Sequence, residues 1–216
     1  GLLFLVSFNL LPLSTSVLVV VIYSAFITNG FHEDGLADAF DGFGGGWKKD
    51  DVLRIMRDSR IGTFGSLALI FLILAKYNLL THIAESSPKN LFYWYLLGQT
   101  AGRWTVLPLC FWLPYAVADD PSSQGKGQGG LVARRIGGKE LLVGSLTLCL
   151  PLLLLPLTTL LLFLAVVSLV VFTTGTYYRK RVNGVTGDAL GATNQLTEVA
   201  TYLLAVILTT AERGLI

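Results

Sequence analysis

Long apolar runs dominate this sequence, and they restrict the folds that it can adopt more than any other feature. The runs lie at residues 17–28, 61–82, 91–116, 141–155, 158–174 and 189–211. Charged residues make up 14% of the chain, against about 25% in an average globular domain. Because a bilayer offers no water to backbone N–H and C=O groups, apolar segments cross it as helices. The sequence therefore predicts an integral membrane protein.

We predict an all-α fold, a polytopic transmembrane helical bundle of about six to seven spans with the first one truncated. The truncated span is the short apolar run at residues 2–11, and the second span ends near Asn29 and Gly30. Lys76 lies near the far end of the run at 61–82, where it could snorkel to the interface. Residues 1–216 are expected to form a single integral-membrane catalytic domain.

Basic residues are concentrated in three of the connections between these runs. Lysine and arginine number five in residues 31–60, four in 117–140 and three in 179–187, but one in 83–90 and none in 155–158. The positive-inside rule places the three basic connections together on the cytoplasmic side. The net charge of +2 is too small to predict a nucleic-acid partner.

Residues 31–65 carry an unusual density of acids between two apolar runs. Asp34, Asp38 and Asp41 recur at i, i+4 and i+7, so on a helix they fall within about 60° of one another. Three carboxylates on one face repel unless a cation lies between them. A divalent ion with oxygen ligands is predicted, and Mg²⁺ suits carboxylates that leave positions for substrate phosphates. A solvated helix face is the alternative.

Basic residues just before the next apolar run form a second motif. Arg57 and Arg60 are predicted to bind phosphate oxygens, since a planar guanidinium binds them in bidentate fashion. Asp58 lies between them, and simple anchoring on the cytoplasmic side remains the alternative. Arg103 stands in the middle of another run, so it must find a partner inside the bundle. That partner is predicted to be an acid of the first or third motif, or a substrate phosphate.

The third motif occupies residues 184–198. If a helix starts near Asp188, which would cap it, then Asp188, Asn194, Gln195 and Glu198 share one broad face. Acids within a span are costly and usually functional, although Glu198 could instead make a single interhelical hydrogen bond. His32, beside the first motif, is a candidate general base or a residue that supports the metal ligands.

Taken together and in order, these motifs resemble the cobalamin synthase family, whose members are also called adenosylcobinamide-GDP ribazoletransferases. The resemblance rests on HEDGLADAFDG at 32–42, RDSRIGTFG at 57–65, GRW at 102–104 and GVTGDALGA at 184–192. Two positions depart from the expected pattern. Glu33 stands where the family more often has an apolar residue, and Gln195 stands where glutamate is expected.

The resemblance implies an Mg²⁺-dependent enzyme of the bacterial inner membrane, with its active site facing the cytoplasm. It would join adenosylcobinamide-GDP to α-ribazole or its 5′-phosphate and release GMP. The residues assigned to catalysis are Asp34, Asp38, Asp41 and His32. Those assigned to substrate phosphates are Arg57, Asp58, Arg60, Arg103 and Asn194. Those assigned to the metal are Asp34, Asp38, Asp41, Asp188 and Glu198.

Two alternatives stay open on the sequence. A CDP-alcohol phosphotransferase has a related acidic pattern on membrane helices, but its signature places Ala-Arg where this chain has Ala39 and Phe40. A metal-ion or proton-coupled transporter would line a path across the bilayer with acids. It would place polar residues at the middle of several spans, whereas the strong motifs here cluster at predicted cytoplasmic ends.

Overall fold

The computed structural model describes residues 10–116 and 136–212 of the chain. Most of these residues are helical, and the one β contact among them is an isolated bridge between Tyr115 and Val185. The helices, numbered in chain order, are α1 (Leu13–Ile27), α2 (Phe31–Gly45), α3 (Lys49–Met56), α4 (Thr63–Ser86), α5 (Pro88–Trp104), α6 (Val106–Trp112), α7 (Gly138–Leu152), α8 (Leu157–Val182) and α9 (Gly187–Glu212). The predicted all-α bundle is confirmed.

The described helices that are long and apolar enough to cross a membrane are α4 and α8. A third span results if α1 and α2, which meet at 83°, count as one broken segment. This is fewer than the six to seven spans predicted, because other apolar runs are divided into shorter helices or carry polar residues. Phe71 on α4 and Phe172 on α8 are among many large apolar side chains exposed on the outer surface, as expected of a surface that faces lipid.

Two predicted segments lie largely outside the described residues. One is the short apolar run at residues 2–11, which is predicted to be part of the first span. The other is the connection at residues 117–140, which carries Lys126, Arg134 and Arg135 among the basic residues counted for orientation.

The bend between α1 and α2 decides where the acidic motif lies. Asn29 and Gly30 both have positive φ angles, 54° and 66°, a backbone region that glycine and asparagine tolerate best. A helix boundary near these two residues, as predicted, is confirmed by the end of α1 at Ile27. The bend sends α2 back against the bundle instead of onward along the axis of α1.

Helix α9 is the centre of the described bundle, in contact with α2, α4, α5 and α8. Small residues let its neighbours approach closely. A Cβ atom on Gly35 of α2 would lie 3.2 Å from the Asp188 Cα, and one on Gly102 of α5 would lie 2.9 Å from the Asn194 carbonyl oxygen. The backbones of α2 and α5 therefore pack directly on α9, which brings their polar residues together.

The single span predicted at residues 91–116 is broken in the structure. Helix α5 ends at Trp104 and α6 begins at Val106. Pro108 explains the break, because it has no N–H to donate to the Trp104 carbonyl and its ring crowds that carbonyl.

The basic connection predicted at residues 179–187 is shorter in the structure, because α8 continues to Val182. The buried Tyr178 hydroxyl lies 3.0 Å from the Ala189 carbonyl and anchors this last turn on α9. The prediction that Asp188 caps α9 is wrong. The Thr186 hydroxyl accepts the Ala189 N–H at 3.1 Å, so α9 begins one residue before Asp188.

Candidate functional site

Three carboxylates lie where α2 packs on α9, and this acidic cluster is defined as Asp34, Asp38 and Asp188. Asp34 and Asp38 stand one turn apart on α2, as their spacing predicts, and Asp34 is exposed. Asp188 comes from the first turn of α9. The contact of Gly35 with Asp188 and Gly191 brings the two helices close enough for the three charges to act on one another.

The acidic cluster has little positive charge around it. Arg57, which follows α3, is the cation whose charge acts on Asp188. Within residues 10–116 and 136–212, none of the three carboxylates forms an ion pair with lysine, arginine or histidine. Like charges this close repel, so the arrangement favours the binding of a cation.

Asp41, the third acid of the predicted triad, is engaged by the protein backbone. Its buried carboxylate accepts the Gly62 N–H at 2.6 Å and the Gly65 N–H at 2.8 Å, one on each oxygen. These donors lie at the start of α4, where the helix dipole also favours a negative charge. Asp41 thus ties α2 to the beginning of α4. Its predicted roles in catalysis and metal binding stay predictions.

The two arginines of the second motif have different partners. Arg60 donates through Nε and Nη2 to the two oxygens of Asp58, at 3.0 and 2.7 Å. These hydrogen bonds lower the pKa of Asp58 to about 2 and raise that of Arg60. Arg57 is exposed and has no ion pair among the described residues. Of the two, Arg57 is the arginine with its donors open to a ligand.

The donor set of the acidic cluster fits Mg²⁺, although it is not a closed cage. In the described part of the chain, no three His, Cys, Asp or Glu side chains converge closely enough to hold a metal ion by themselves. Mg²⁺ is commonly bound through one or two carboxylates, while water and substrate phosphates supply the other ligands. Three carboxylates with no ion pair among the described residues, one exposed and two half-buried, are suited to that arrangement. The Mg²⁺ assignment stays a prediction.

A second group of charges lies further along α9, and this buried ion-pair cluster consists of Glu33, Lys76, Arg103 and Glu198. Lys76 Nζ lies 2.7 Å from Glu198 Oε2 and 3.9 Å from Glu33 Oε1, and it donates to Gln195. The Lys76 and Glu198 side chains are 5% and 1% exposed. The prediction that Lys76 snorkels is wrong, because partners inside the bundle satisfy its charge.

Arg103 and two amides complete the surroundings of Glu198. Arg103 Nη1 lies 3.8 Å from Glu198 Oε1, which confirms the predicted pairing with an acid of the third motif. Gln99 donates to Glu198 Oε2 at 2.8 Å. With the Asn194 amide turned so that its nitrogen faces Glu198, it donates to Glu198 Oε1 at 3.0 Å and accepts the Arg103 backbone N–H at 3.2 Å. Protein groups thus satisfy Glu198, while the phosphate role of Asn194 stays a prediction.

The five predicted metal ligands therefore do not form one site. Asp34, Asp38 and Asp188 form the acidic cluster, whereas Asp41 binds the start of α4 and Glu198 lies in the buried ion-pair cluster. Asp188 and Glu198 are ten residues apart on α9, which corresponds to about 15 Å along a helix axis. His32 belongs with the buried ion-pair cluster, since the charges that act on it are those of Arg103, Glu33 and Lys76. Its role as general base also stays a prediction.

The residues that sequence reasoning missed are Lys76 and Gln99. Both interrupt apolar runs, and a polar residue within a span is by default a candidate for a function or an internal partner. Their partners could have been sought in the third motif, where Gln195 and Glu198 lie three residues apart. What the sequence could not give was which helix faces meet.

Comparisons with known proteins agree on one family. The model of the cobalamin-5-phosphate synthase family matches residues 1–206. An adenosylcobinamide-GDP ribazoletransferase from Shewanella sp. (strain W3-18-1) is 39% identical over 203 residues, covering 92% of this chain and 74% of the relative. One from Leptospira interrogans is 37% identical over 202 residues, covering 90% of this chain and 74% of the relative. No solved structure matches the chain.

Proposed function

The chain belongs to the cobalamin-5-phosphate synthase family, and we propose that it joins adenosylcobinamide-GDP to α-ribazole or α-ribazole 5′-phosphate and releases GMP. The observation that carries this proposal within the structure is the acidic cluster, whose carboxylates have no ion pair among the described residues. A diphosphate with a bound cation would satisfy those carboxylates. The family favours this transferase over the CDP-alcohol phosphotransferase and transporter alternatives.

In this proposal Asp34, Asp38 and Asp188 hold Mg²⁺ together with the diphosphate. When bound, Mg²⁺ supplies positive charge to the diphosphate oxygens and makes GMP a better leaving group. Arg57 binds a phosphate oxygen from the side of α3. Asp41 keeps the start of α4 in place through its two backbone hydrogen bonds, and so fixes the position of the loop that carries Arg57 and Arg60.

The acceptor is a sugar hydroxyl, which must lose a proton as it attacks phosphorus. A carboxylate of the acidic cluster, or His32, takes that proton. Asp34 is the exposed member of the cluster, and His32 lies two residues before it. The orientation of the acceptor decides between them.

We further propose that the chain lies in the bacterial inner membrane with this site facing the cytoplasm. Arg57, in the loop after α3, is the cation whose charge acts on Asp188. Arg179, Lys180 and Arg181 form the basic last turn of α8, and Arg181 donates to the carbonyls of Phe43 and Gly46 at the end of α2. The two basic connections that the structure describes thus meet at one end of α2, as the positive-inside rule requires.

The test is a transfer assay with protein reconstituted in bilayers. Adenosylcobinamide-GDP, α-ribazole and Mg²⁺ are supplied, and GMP and corrinoid products are separated by chromatography. We expect stoichiometric GMP and a new nucleotide-containing corrinoid. We also expect chelation to stop the reaction and added Mg²⁺ to restore it. Absence of GMP release by folded protein would contradict the transferase, and undiminished turnover under chelation would contradict the metal.

A further inference from the structure

A cavity of about 460 Å³ lies beside Arg103, lined by α5, α6 and α7. Its lining combines the charge of Arg103, the polar groups of Gln99 and Thr147, and the aromatic rings of Tyr95 and Trp104. Ligand cavities in proteins measure about 300–1,000 Å³ and pair apolar walls with a few polar groups that fix orientation. The size and the lining of this cavity are therefore those of a small-molecule site.

The protein uses only part of the Arg103 guanidinium. Both of its hydrogen bonds start from Nη1 and end on Gln99, and Nε and Nη2 have no partner among the described residues. The side chain is 44% exposed. The Nη1 atom also pairs with Glu198, and the remaining edge of a guanidinium binds an oxyanion or a pair of oxygens in bidentate fashion.

The cavity adjoins the buried ion-pair cluster, which shares helix α2 with the acidic cluster. Arg103 and Gln99 line both this cavity and a small polar gap that also contains His32 and Glu33. Glu33 Oε2 is buried in that region with no hydrogen-bond partner among the described residues, and Asp34 of the acidic cluster is the next residue. Polar side chains beside the cavity therefore belong to the residues that directly precede Asp34 on α2.

We propose that this cavity binds the acceptor, an aromatic nucleoside, with its base against Tyr95 and Trp104 and a sugar or phosphate oxygen at Arg103. This inference rests on the proposed function. Both rings are already fixed, since Tyr95 stacks on Tyr202 at 6.5 Å and 7° and Trp104 Nε1 donates to Ser145 at 3.1 Å. Fixed aromatic walls bind a planar base with little loss of conformational entropy.

A second cavity in the described bundle provides a matched control. It measures about 500 Å³, and its lining, which includes Phe43, Phe64 and Thr173, contains no charged residue. Phe43 lies on the opposite face of α2 from Asp34, since nine residues correspond to half a turn beyond two full turns. Among the described residues, its lining offers no cation, and none of the residues that line it also lines the polar gap beside Arg103.

The test fills each cavity with the same side chain. Thr147 and Thr173 are both exposed and bond a carbonyl of their own helix, so Thr147→Trp and Thr173→Trp are comparable changes. GMP release by protein in nanodiscs is measured while either substrate is varied. We expect Thr147→Trp to raise the acceptor KM at least about tenfold with the donor KM within about twofold. Thr173→Trp should leave both unchanged.

Arg103→Lys tests the same site without filling it. Lysine keeps a positive charge for Glu198 but loses the bidentate edge, so the acceptor KM should again rise more than the donor KM. An unchanged acceptor KM in both Thr147→Trp and Arg103→Lys would overturn the inference. So would a Thr147→Trp defect that appears only in nanodiscs of anionic phospholipid, because the cavity would then bind a lipid headgroup.

The two proposals fail in different ways. If wild-type protein releases no GMP, the transferase and this acceptor site are both overturned. If wild-type protein turns over normally while Thr147→Trp and Arg103→Lys both keep their acceptor KM, only the acceptor site is overturned.

Discussion

Helices α2 and α9 contribute acids both to the acidic cluster and to the buried ion-pair cluster, but the two sets of acids have different partners. Helix α2 supplies Asp34 to the first and its neighbour Glu33 to the second, while α9 supplies Asp188 and Glu198. In the buried cluster each acid has a cation, with Lys76 as their common partner. In the acidic cluster no ion pair is present among the described residues.

This difference suits the buried ion-pair cluster to a structural role and the acidic cluster to binding a ligand. A buried carboxylate is tolerated only when cations and hydrogen bonds compensate for the loss of water, and Glu198 has both. In the acidic cluster, Asp34 is exposed and Asp38 and Asp188 are half-buried, so water or a bound cation can reach carboxylates that repel one another. Acids that look equivalent in the sequence therefore have different tasks.

The largest expected effect comes from breaking the buried ion-pair cluster. Lys76→Met leaves Glu198 and Glu33 without their main cation, which should cost about 3–5 kcal/mol of stability. Thermal unfolding in detergent would measure the loss. Adding Glu198→Gln to Lys76→Met removes the unpaired charge, so the double variant should recover most of the stability. A double variant as unstable as the single one would show that packing, not charge, holds this region.

A substitution in the acidic cluster should lower turnover and leave stability intact, the opposite of the result expected for Lys76→Met. Asp38→Asn removes a carboxylate that we assign to cation binding, so turnover should fall by about 10²–10³-fold. Stability should stay the same or rise, because repulsion from Asp34 is relieved. The exposed Asp50 of α3 gives the matched control, Asp50→Asn, which should keep normal turnover. Loss of stability without loss of turnover in Asp38→Asn would reverse the assignment of the two clusters.

Asp41 belongs to neither cluster, and replacing it tests whether its role is structural or catalytic. Asp41→Asn replaces one of two acceptor oxygens with a donor, so either the Gly62 or the Gly65 N–H loses its partner. A cost of about 1–3 kcal/mol in stability is expected, with turnover reduced in proportion to the protein that unfolds. Turnover lost as completely as in Asp38→Asn, at unchanged stability, would instead support the predicted catalytic role of Asp41.

The smallest effect is expected at Asp58, which is exposed. Its pKa is lowered to about 2 by Arg60, so its contribution to stability is present above the ordinary value of 3.8 and is lost only as the pH falls toward 2. Asp58→Asn should therefore leave the pH profile of turnover unchanged between about pH 5 and pH 8. A donor KM raised by more than about threefold would show that Asp58 and Arg60 act as a unit in phosphate binding.

Much of the helix content followed from local pattern. The spacing of Asp34 and Asp38 indicated one face of a helix, and the Asn29-Gly30 pair indicated its boundary, because both effects depend on residues within two turns of the chain. The break at Trp104 was missed although Pro108 was visible, since proline in an apolar run is tolerated in many membrane helices. The extension of α8 was missed because Tyr178 finds its partners on another helix.

The sequence by itself determined that this chain is a helical membrane protein of the cobalamin-5-phosphate synthase family, and it identified Asp34, Asp38 and Asp188 as candidates. Periodicity, hydropathy and motif order carry that information. The tertiary structure alone decided which charges are paired. Lys76 and Glu198 are 122 residues apart in the sequence, and nothing local predicts that α4 and α9 meet at these positions. Ion pairing depends on distance in space, so only the packed bundle shows which acids remain open to a ligand.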